Sequence, residues 1–222
     1  MSESSGAMPD PTRPGSTGQH RIVVATGNAH KLDEIRAILA ARGLVRVELI
    51  SMRDFDVESP VEDGATFEAN ALIKARACAL ATGLPALADD SGLVVDALAG
   101  APGIFSARYA GEPTDDAANN AKLIAELAGI PPAQRTARFV CAAALVSPQG
   151  LEHAVRGTME GHIVDEPRGA NGFGYDPHFV AVATGDGRTT AELEPAEKDA
   201  ISHRGAAFRR LVPHIQQLVA GR

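Results

Sequence analysis

Residues 21–50 read RIVVATGNAHKLDEIRAILAARGLVRVELI, and the spacing of their apolar residues changes twice along the segment. A short apolar run rich in β-branched residues predicts a buried strand, which Gly27-Asn28 ends. The next apolar residues fall at helical spacing and predict a helix that Gly43 ends. The predicted strand, helix and second strand cover residues 21–26, 30–42 and 44–50. A strand–helix–strand opening favours a parallel α/β layer.

The rest of the chain predicts further strands and helices. Helices are expected over about residues 66–82, 115–128 and 204–219, with Pro213 kinking or delaying the last one. Two short strands, 84–88 and 92–98, are expected on either side of Asp89-Asp90-Ser91, followed by a hairpin over 137–147 and 152–164. These elements predict an α/β fold, an elongated mixed β-sheet with flanking helices and two lobes around a central ligand-binding cleft.

Composition limits the classes of partner. The chain of 222 residues carries a net charge of −7, which argues against broad attraction to nucleic acid or to an anionic membrane. It has no apolar run of about 18 residues that would predict a membrane span. Cys78 and Cys141 lie in apolar patterns without metal-ligand spacing. Residues 1–20 contain no Leu, Ile, Val or Phe, so a flexible tail is expected before a single domain over 21–222. The lack of an apolar signal segment predicts a cytoplasmic location.

Several segments carry polar residues that could bind a ligand, and the first is Thr26–Lys31. It lies at the strand-to-helix turn, where unpaired amides and the positive end of the helix dipole suit a phosphate. Asn28 could cap the helix or bind the ligand, and Lys31 in the first turn is favourable only beside an anion. The spacing is not that of a Walker A loop. An ordinary capped helix would contain the same residues.

Two further segments combine carboxylates with amide and amine groups. Asn70 and Lys74 share one face of a predicted helix, which could point at an anion or at solvent. Asp89-Asp90 follows an apolar strand and precedes Ser91. Adjacent carboxylates there suit Mg²⁺, and one of them could take a proton from an attacking water. A plain β-turn is the alternative interpretation.

The last two segments lie in the second half of the chain. Residues 171–176 (NGFGYD) combine two glycines, two aromatic residues and a carboxylate before Pro177. Glycine lets the backbone approach a ligand, and an aromatic face can stack on a flat ring, so the segment suits a purine; a surface turn is the alternative. Lys198 and Ser202-His203-Arg204 place cations at or before a helix start, where the dipole disfavours them unless a ligand or other negative group is near.

In this combination and order, the segments resemble the inosine/xanthosine triphosphate pyrophosphatases, a family that clears deaminated purine nucleotides. The resemblance covers the chain from Arg21 nearly to its C-terminus. The matching residues are Thr26-Gly27-Asn28 with Lys31, Thr66-Phe67 with Asn70-Ala71 and Lys74-Ala75, residues 88–93 (ADDSGL), residues 100–103 (GAPG) with 106–108 (SAR), residues 172–177 (GFGYDP), and Lys198 with Ser202-His203-Arg204.

The resemblance implies a Mg²⁺-dependent, homodimeric hydrolase that converts ITP, dITP and XTP to the monophosphate and pyrophosphate in a nucleotide-binding cleft. Asp90 would be the proton acceptor, with Ser91 beside it, and Glu62 and Asp90 would coordinate Mg²⁺. Phe173 would stack on the base. The triphosphate would be held by Lys74 and by Thr26, Gly27, Asn28, Ala29, His30 and Lys31. The base edge, ribose or adjoining phosphate would be contacted by Gly174, Tyr175, Asp176, Lys198, His203 and Arg204.

One position departs from the family pattern, and two other functions stay open. Ala69 stands where the family often has Glu, so the reciprocal cap with Thr66 is lost, although Glu68 still favours the helix dipole. The first alternative is an NTPase of the same fold with another product or nucleotide preference. The second is a nucleotide-sensing module without turnover, against which the Asp89-Asp90 pair argues because a sensor has no need of a water-activating carboxylate.

Overall fold

The computed structural model describes residues 20–55 and 57–221, and these form six strands and five α-helices. The strands are β1 (His20–Val24), β2 (Val47–Ser51), β3 (Ala86–Val95), β4 (Thr136–Val146), β5 (Glu152–Ile163) and β6 (Phe179–Ala181). The helices are α1 (Ala29–Ala40), α2 (Phe67–Thr82), α3 (Asp116–Glu126), α4 (Pro195–Ile201) and α5 (His203–Val219). The tail expected over residues 1–20 lies outside the described residues, except for His20, which begins β1.

All six strands form one mixed sheet in the order β2-β1-β3-β4-β5-β6. Strand β1 is parallel to both β2 and β3, whereas β3, β4, β5 and β6 pair antiparallel in succession. The predicted α/β class and the predicted β4–β5 hairpin are therefore confirmed. The hairpin strands continue the same sheet as the parallel strands and do not form a second sheet.

Side-chain alternation along the central strands divides the core between the two faces of the sheet. Leu87, Cys141 and Leu145 pack under α1 and α5 on one face. Ala86, Ala88, Ala142 and Ala144 are small enough for α2 to lie close on the other face. Farther along the first face, Leu93 and Phe139 belong to a third cluster that includes Leu123 of α3. The space between the α1–α5 cluster and the α3 cluster is a cleft on that face.

The helix starts that border this cleft are capped by the residues that the sequence suggested. The Asn28 side chain accepts from the Lys31 amide at 3.3 Å, and Thr66 accepts from the Ala69 amide at 3.1 Å. The missing Glu at position 69 therefore leaves a one-sided cap on α2. Glu68 instead forms two hydrogen bonds with Arg156 of β5, at 2.6 and 2.9 Å.

Three local predictions differ from the structure. The two short strands expected around Asp89-Asp90-Ser91 are one continuous strand, β3, because β4 pairs with it residue by residue through this segment. Helix α5 begins at His203, so Pro213 does not delay its start, and Leu211, Val212 and Ile215 around the proline are buried against the sheet. Strand β6 and helix α4 were not predicted, because both are short and have little apolar periodicity.

The end of β1 leaves part of β3 open at the edge facing the cleft. The register of β1 with β3 ends at Val24 and Leu87, whereas β3 continues to Val95. Asp89 and Asp90 therefore lie on β3 just beyond the end of its parallel neighbour. Among the described residues, none of the helices is both long and apolar enough to cross a membrane.

Candidate active site

A cleft of about 450 Å³ lies mainly on the α1–α5 face of the sheet and extends to Lys74 of α2. It brings together residues that are far apart in the sequence. One end is the turn before α1, and the other is the loop of residues 173–176 next to α3. The predicted site residues that line it are Thr26, Gly27, Asn28, His30, Lys31, Glu62, Lys74, Ser91, Phe173, Gly174, Tyr175, Asp176, Lys198, His203 and Arg204. Ala29 and Asp90 do not line the cleft directly.

Asp89 is the buried anion that joins α1 to α5. Its Oδ2 atom accepts from Lys31 Nζ at 3.1 Å, from Ser91 Oγ at 2.9 Å and from the Arg204 guanidinium at 3.2 and 3.3 Å. Burial alone would raise the pKa of Asp89, but the neighbouring Lys31, Arg204 and Lys74 outweigh it and hold the pKa well below its ordinary value. Asp89 is therefore a fixed negative charge on the cleft wall.

Asp90 lies on the opposite face of β3 and contacts α2. Its Oδ1 atom accepts from Lys74 Nζ at 3.0 Å, and Oδ2 accepts from Asn70 Nδ2 at 3.2 Å. Burial raises the pKa of Asp90, and the charge of Glu62 adds to that effect while Lys74 opposes it. Asn70 also accepts from the Gly64 amide at 2.8 Å, so one side chain ties the Glu62 loop to Asp90.

Lys74 Nζ is shared by two carboxylates at the mouth of the cleft. It lies 3.0 Å from Glu62 Oε2 and 3.0 Å from Asp90 Oδ1. Hard oxygen donors that converge in this way suit Mg²⁺, which typically uses one or two protein carboxylates together with waters and substrate phosphates. The described residues contain no cluster of three or more His, Cys, Asp or Glu that would enclose a metal by protein alone. Glu62 and Asp90 therefore fit an ion that the substrate helps to hold.

The loop of residues 172–176 is built around Asp176. Asp176 Oδ2 accepts from Lys198 Nζ at 2.5 Å and from the Phe173 amide at 3.0 Å, and Oδ1 accepts from Thr190 Oγ1 at 2.7 Å. Gly172 has a φ of 77°, and a Cβ atom there would overlap Asp176 Oδ2. The glycine is required both by its backbone conformation and by this close approach.

Phe173 lines the cleft, and the residue is 37% exposed. Lys198 Nζ lies 5.3 Å from the ring centroid, and the Arg204 guanidinium carbon lies 6.0 Å from it. Tyr175, by contrast, is buried, and its hydroxyl donates to the Ser106 carbonyl at 2.8 Å. Within this loop, Phe173 is therefore the aromatic residue that can stack on a ligand, whereas Tyr175 fixes the loop to the core.

His203 is a buried, neutral imidazole at the floor of the cleft. Its ring stacks on Phe139 with centroids 4.9 Å apart and an angle of 14°. Burial, followed by the charges of Arg204 and Lys198, lowers the pKa of His203 well below 6.5. Its Nδ1 atom is buried and has no hydrogen-bond partner among the described residues. A polar ligand could supply that partner.

The four cations of the cleft all have carboxylate partners within the protein. Lys31 pairs with Asp89, Lys74 with Glu62 and Asp90, and Lys198 with Asp176; Arg204 pairs with Asp89 and with Glu34. Cations at a helix start are typical of a site where a ligand supplies the compensating negative charge. In the structure, acidic side chains of the protein already supply that negative charge. A phosphate would therefore share these cations with the protein.

Sequence reasoning missed several residues at or beside the cleft, among them Asp116, Asn120 and Arg53. Asp116 lines the cleft, and Asn120 of the same helix bonds the Gly174 carbonyl at 2.9 Å. Arg53 lies beside the turn before α1, with a guanidinium nitrogen 3.4 Å from the position that a Cβ on Gly27 would take. None of the three belongs to a local motif, so only a prediction of long-range contacts could have found them.

Comparison with known proteins shows similarity over most of the chain. Residues 22–214 match the sequence model of the Ham1 family. The dITP/XTP pyrophosphatase of Corynebacterium diphtheriae is 52% identical over 199 residues, which cover 88% of this chain and 96% of that protein. The dITP/XTP pyrophosphatase of Frankia alni is 54% identical over 204 residues, covering 90% of this chain and 98% of that protein.

Solved structures agree with this similarity. A HAM1 protein from Coxiella burnetii superposes with a TM-score of 0.81 at 43% identity, covering 90% of this chain and 100% of that one. A nucleoside-triphosphatase, or dITP/XTP pyrophosphatase, from Mycobacterium abscessus superposes with a TM-score of 0.71 at 52% identity, covering 88% of this chain and 99% of that one.

Proposed function

Because this chain belongs to the Ham1 family, we propose that it hydrolyses deaminated purine nucleoside triphosphates, namely dITP, XTP and ITP, to the monophosphate and pyrophosphate. The observation that carries the proposal is the composition of the cleft described above. It joins a phosphate-suited helix start to an aromatic platform, with a carboxylate of raised pKa beside it.

The triphosphate would lie at the turn before α1. Asn28 and His30, at the start of α1, line the cleft, and the positive end of the helix dipole lies there. Lys31 and Lys74 line the same end and would neutralise phosphate charge. Because Lys31 already contacts Asp89, it is held in place before the substrate arrives.

The base would stack on Phe173, with its polar edge toward Lys198, His203 and Arg204. These groups can donate hydrogen bonds to a 6-oxo group, whereas the 6-amino group of adenine offers hydrogens in that position. A site built to donate would leave its donors unpaired with ATP, and such a site can discriminate by several orders of magnitude. GTP shares the 6-oxo group, so its rejection would depend on its 2-amino group.

Asp90 is better suited than Asp89 to accept a proton from the attacking water. A general base works best when its pKa lies near the working pH, and burial moves Asp90 in that direction while three cations move Asp89 away from it. In the reaction, a water oxygen forms a new bond to phosphorus, its proton passes to Asp90, and the α–β anhydride bond breaks to release pyrophosphate.

Glu62 and Asp90 would hold Mg²⁺ against the phosphates. When bound, the ion would supply charge neutralisation to the leaving pyrophosphate. For Asp90 to reach either the ion or a water, its contact with Lys74 must be exchanged for one with the ligand. Lys74 would then turn toward the phosphates, since Glu62 and Asp90 are its carboxylate partners among the described residues.

Further properties of the protein do not depend on the geometry of the site. We propose that the protein is a homodimer and that it acts in the cytoplasm on small-molecule nucleotides, not on nucleic acid. Sedimentation of the purified protein across a range of concentrations tests the dimer.

A pyrophosphate-release assay with Mg²⁺ tests the main proposal. Purified protein would be given dITP, ITP, XTP, ATP and GTP in parallel, and both pyrophosphate and orthophosphate would be measured. Pyrophosphate from the three deaminated substrates, with little from ATP, is expected. Equal turnover of ATP and ITP, or release of orthophosphate only, would overturn the proposal.

A further inference from the structure

Helix α3 holds the Phe173 loop through both backbone polar groups of one residue. The Gly174 amide donates to Asp116 Oδ2 at 2.8 Å, and the Gly174 carbonyl accepts from Asn120 Nδ2 at 2.9 Å. Asp116 and Asn120 are four residues apart and therefore lie on the same face of the helix. Gly174 is therefore fixed on two sides by Asp116 and Asn120, which precede it by 58 and 54 residues in the chain.

The other side of Phe173 is fixed by a separate contact. Its own amide donates to Asp176 Oδ2 at 3.0 Å, and the same oxygen accepts from Lys198. The backbone is therefore held immediately before and immediately after the Phe173 side chain. Gly174 has a φ of 62°, a left-handed conformation that turns the chain at this point.

Helix α3 is itself anchored and can transmit this restraint. Asn119 accepts from the Ala110 amide at 2.7 Å and donates to the Ala107 carbonyl at 3.0 Å. Leu123, one turn farther along, is fully buried in the core cluster next to the cleft. One side of α3 is thus attached to the 107–110 segment, and another side carries the contacts to Gly174.

We propose that Asp116 and Asn120 are positioning residues. By holding the backbone of Gly174, they fix the position of the Phe173 ring in the cleft and so control the affinity for the purine base. The inference rests on the proposed function, since it assumes that the base stacks on Phe173. Neither residue needs to touch the substrate. Their effect should appear in KM, because a stacking contact made equally in the ground state and the transition state changes KM and leaves kcat unchanged.

Alanine at either position tests the inference. Asp116→Ala and Asn120→Ala should each raise KM for XTP about tenfold with kcat nearly unchanged, since each removes one hydrogen bond to the loop. Asp116→Asn keeps an oxygen acceptor for the Gly174 amide and should restore KM toward the wild-type value. In a Phe173→Ala background, Asp116→Ala should add little, because the two changes act through the same ring.

Inorganic tripolyphosphate, a probe without a base, separates positioning from general damage. Its inhibition constant against XTP hydrolysis should be the same in wild type, Asp116→Ala and Asn120→Ala. Asp115→Ala is the matched control, because Asp115 caps α3 through the Ala117 and Ala118 amides and makes no contact with Gly174 among the described residues. It should lower the thermal midpoint and leave KM for XTP unchanged.

The outcomes distinguish this inference from the function on which it rests. If Phe173→Ala leaves KM for XTP unchanged, the base does not stack there and the proposed binding mode fails together with the inference. If Phe173→Ala raises KM but Asp116→Ala and Asn120→Ala do not, the inference is overturned and the proposed function stands. If the α3 variants weaken tripolyphosphate binding as much as XTP binding, their role is structural and the inference is likewise overturned.

Discussion

Asp89 and Asp90 are consecutive residues of β3 whose carboxylates lie on opposite faces of the sheet and are bound by different helices. Lys31 of α1 and Arg204 of α5 contact Asp89, whereas Asn70 and Lys74 of α2 contact Asp90. The alternation of side chains along a strand produces this separation. It gives one carboxylate a lowered pKa and the other a raised one, so two identical side chains can have different roles.

Asp90→Asn should abolish turnover without loss of stability. The substitution keeps an oxygen for Lys74 but removes the proton acceptor, and a general base typically contributes about 10²- to 10⁴-fold to the rate. The thermal midpoint should stay the same or rise, because the raised pKa means that burial disfavours the ionised form at neutral pH. Pyrophosphate release and calorimetry measure the two effects. Retention of more than about a tenth of the wild-type rate would place the base elsewhere.

Asp89→Asn should destabilise the folded protein. The change leaves Lys31 and Arg204 without their shared buried anion, and breaking a buried ion pair typically costs about 3–5 kcal/mol. Urea unfolding at pH 7 gives the difference in the free energy of unfolding. Asp96→Asn, just beyond the end of the same strand in an exposed ion pair with Arg138, is the matched control and should cost about 1 kcal/mol or less. Equal losses from the two variants would contradict the assigned role of Asp89.

The sequence predicts most of the fold because the long elements carry strong periodic patterns. Residues 21–26 and 30–42, for example, fall close to β1 and α1, and Asn28 and Thr66 cap the helices that were expected to start there. The sequence pattern wrongly predicts a break at Asp89-Asp90-Ser91, because adjacent acids are rare within a buried strand. The segment stays in the strand since β4 pairs with it and helices from both faces supply cations, and neither fact is visible locally.

The candidate site, like the fold, is predictable where it depends on local sequence and not where it depends on long-range contacts. The segments that line the cleft could be chosen from their residue types, but their internal partners could not. The sequence predicts that Asp176 contacts the base, and the structure adds that its two oxygens accept from Lys198, Thr190 and the Phe173 amide. Such contacts join residues 14 and 22 positions apart through loops without periodicity, so they depend on the tertiary structure.

Gly172→Ala should impair activity far more than Gly174→Ala. Both glycines have a positive φ, 77° and 62°, so each alanine is strained by a similar amount. At position 172 the added methyl would also overlap Asp176 Oδ2, whereas at 174 no atom lies within 4 Å of it. We expect Gly172→Ala to lower kcat/KM for XTP by more than about tenfold relative to Gly174→Ala. Equal effects would show that strain, and not the contact with Asp176, limits the loop.

His153 and His214, which form a stacked pair that does not line the cleft, should make stability sensitive to mild acid. His153 of β5 and His214 of α5 have ring centroids 3.8 Å apart at an angle of 25°. Burial lowers the pKa of His153 below 6.5, and the charge of His214 lowers it further. Above pH 6.5 the imidazole is neutral in both states and contributes nothing to the pH dependence.

As the pH falls below 6.5, the unfolded chain binds a proton at His153 that the folded protein does not, so the free energy of unfolding decreases with falling pH. His153→Gln removes this proton uptake. The free energy of unfolding should therefore decrease less between pH 7 and pH 5.5 in the variant than in wild type. Urea unfolding at the two pH values measures the change. His162→Gln, on the same strand and without a stacked imidazole among the described residues, is the matched control and should keep the wild-type dependence. Identical pH dependence in wild type and His153→Gln would show that the stacked pair is not coupled to folding.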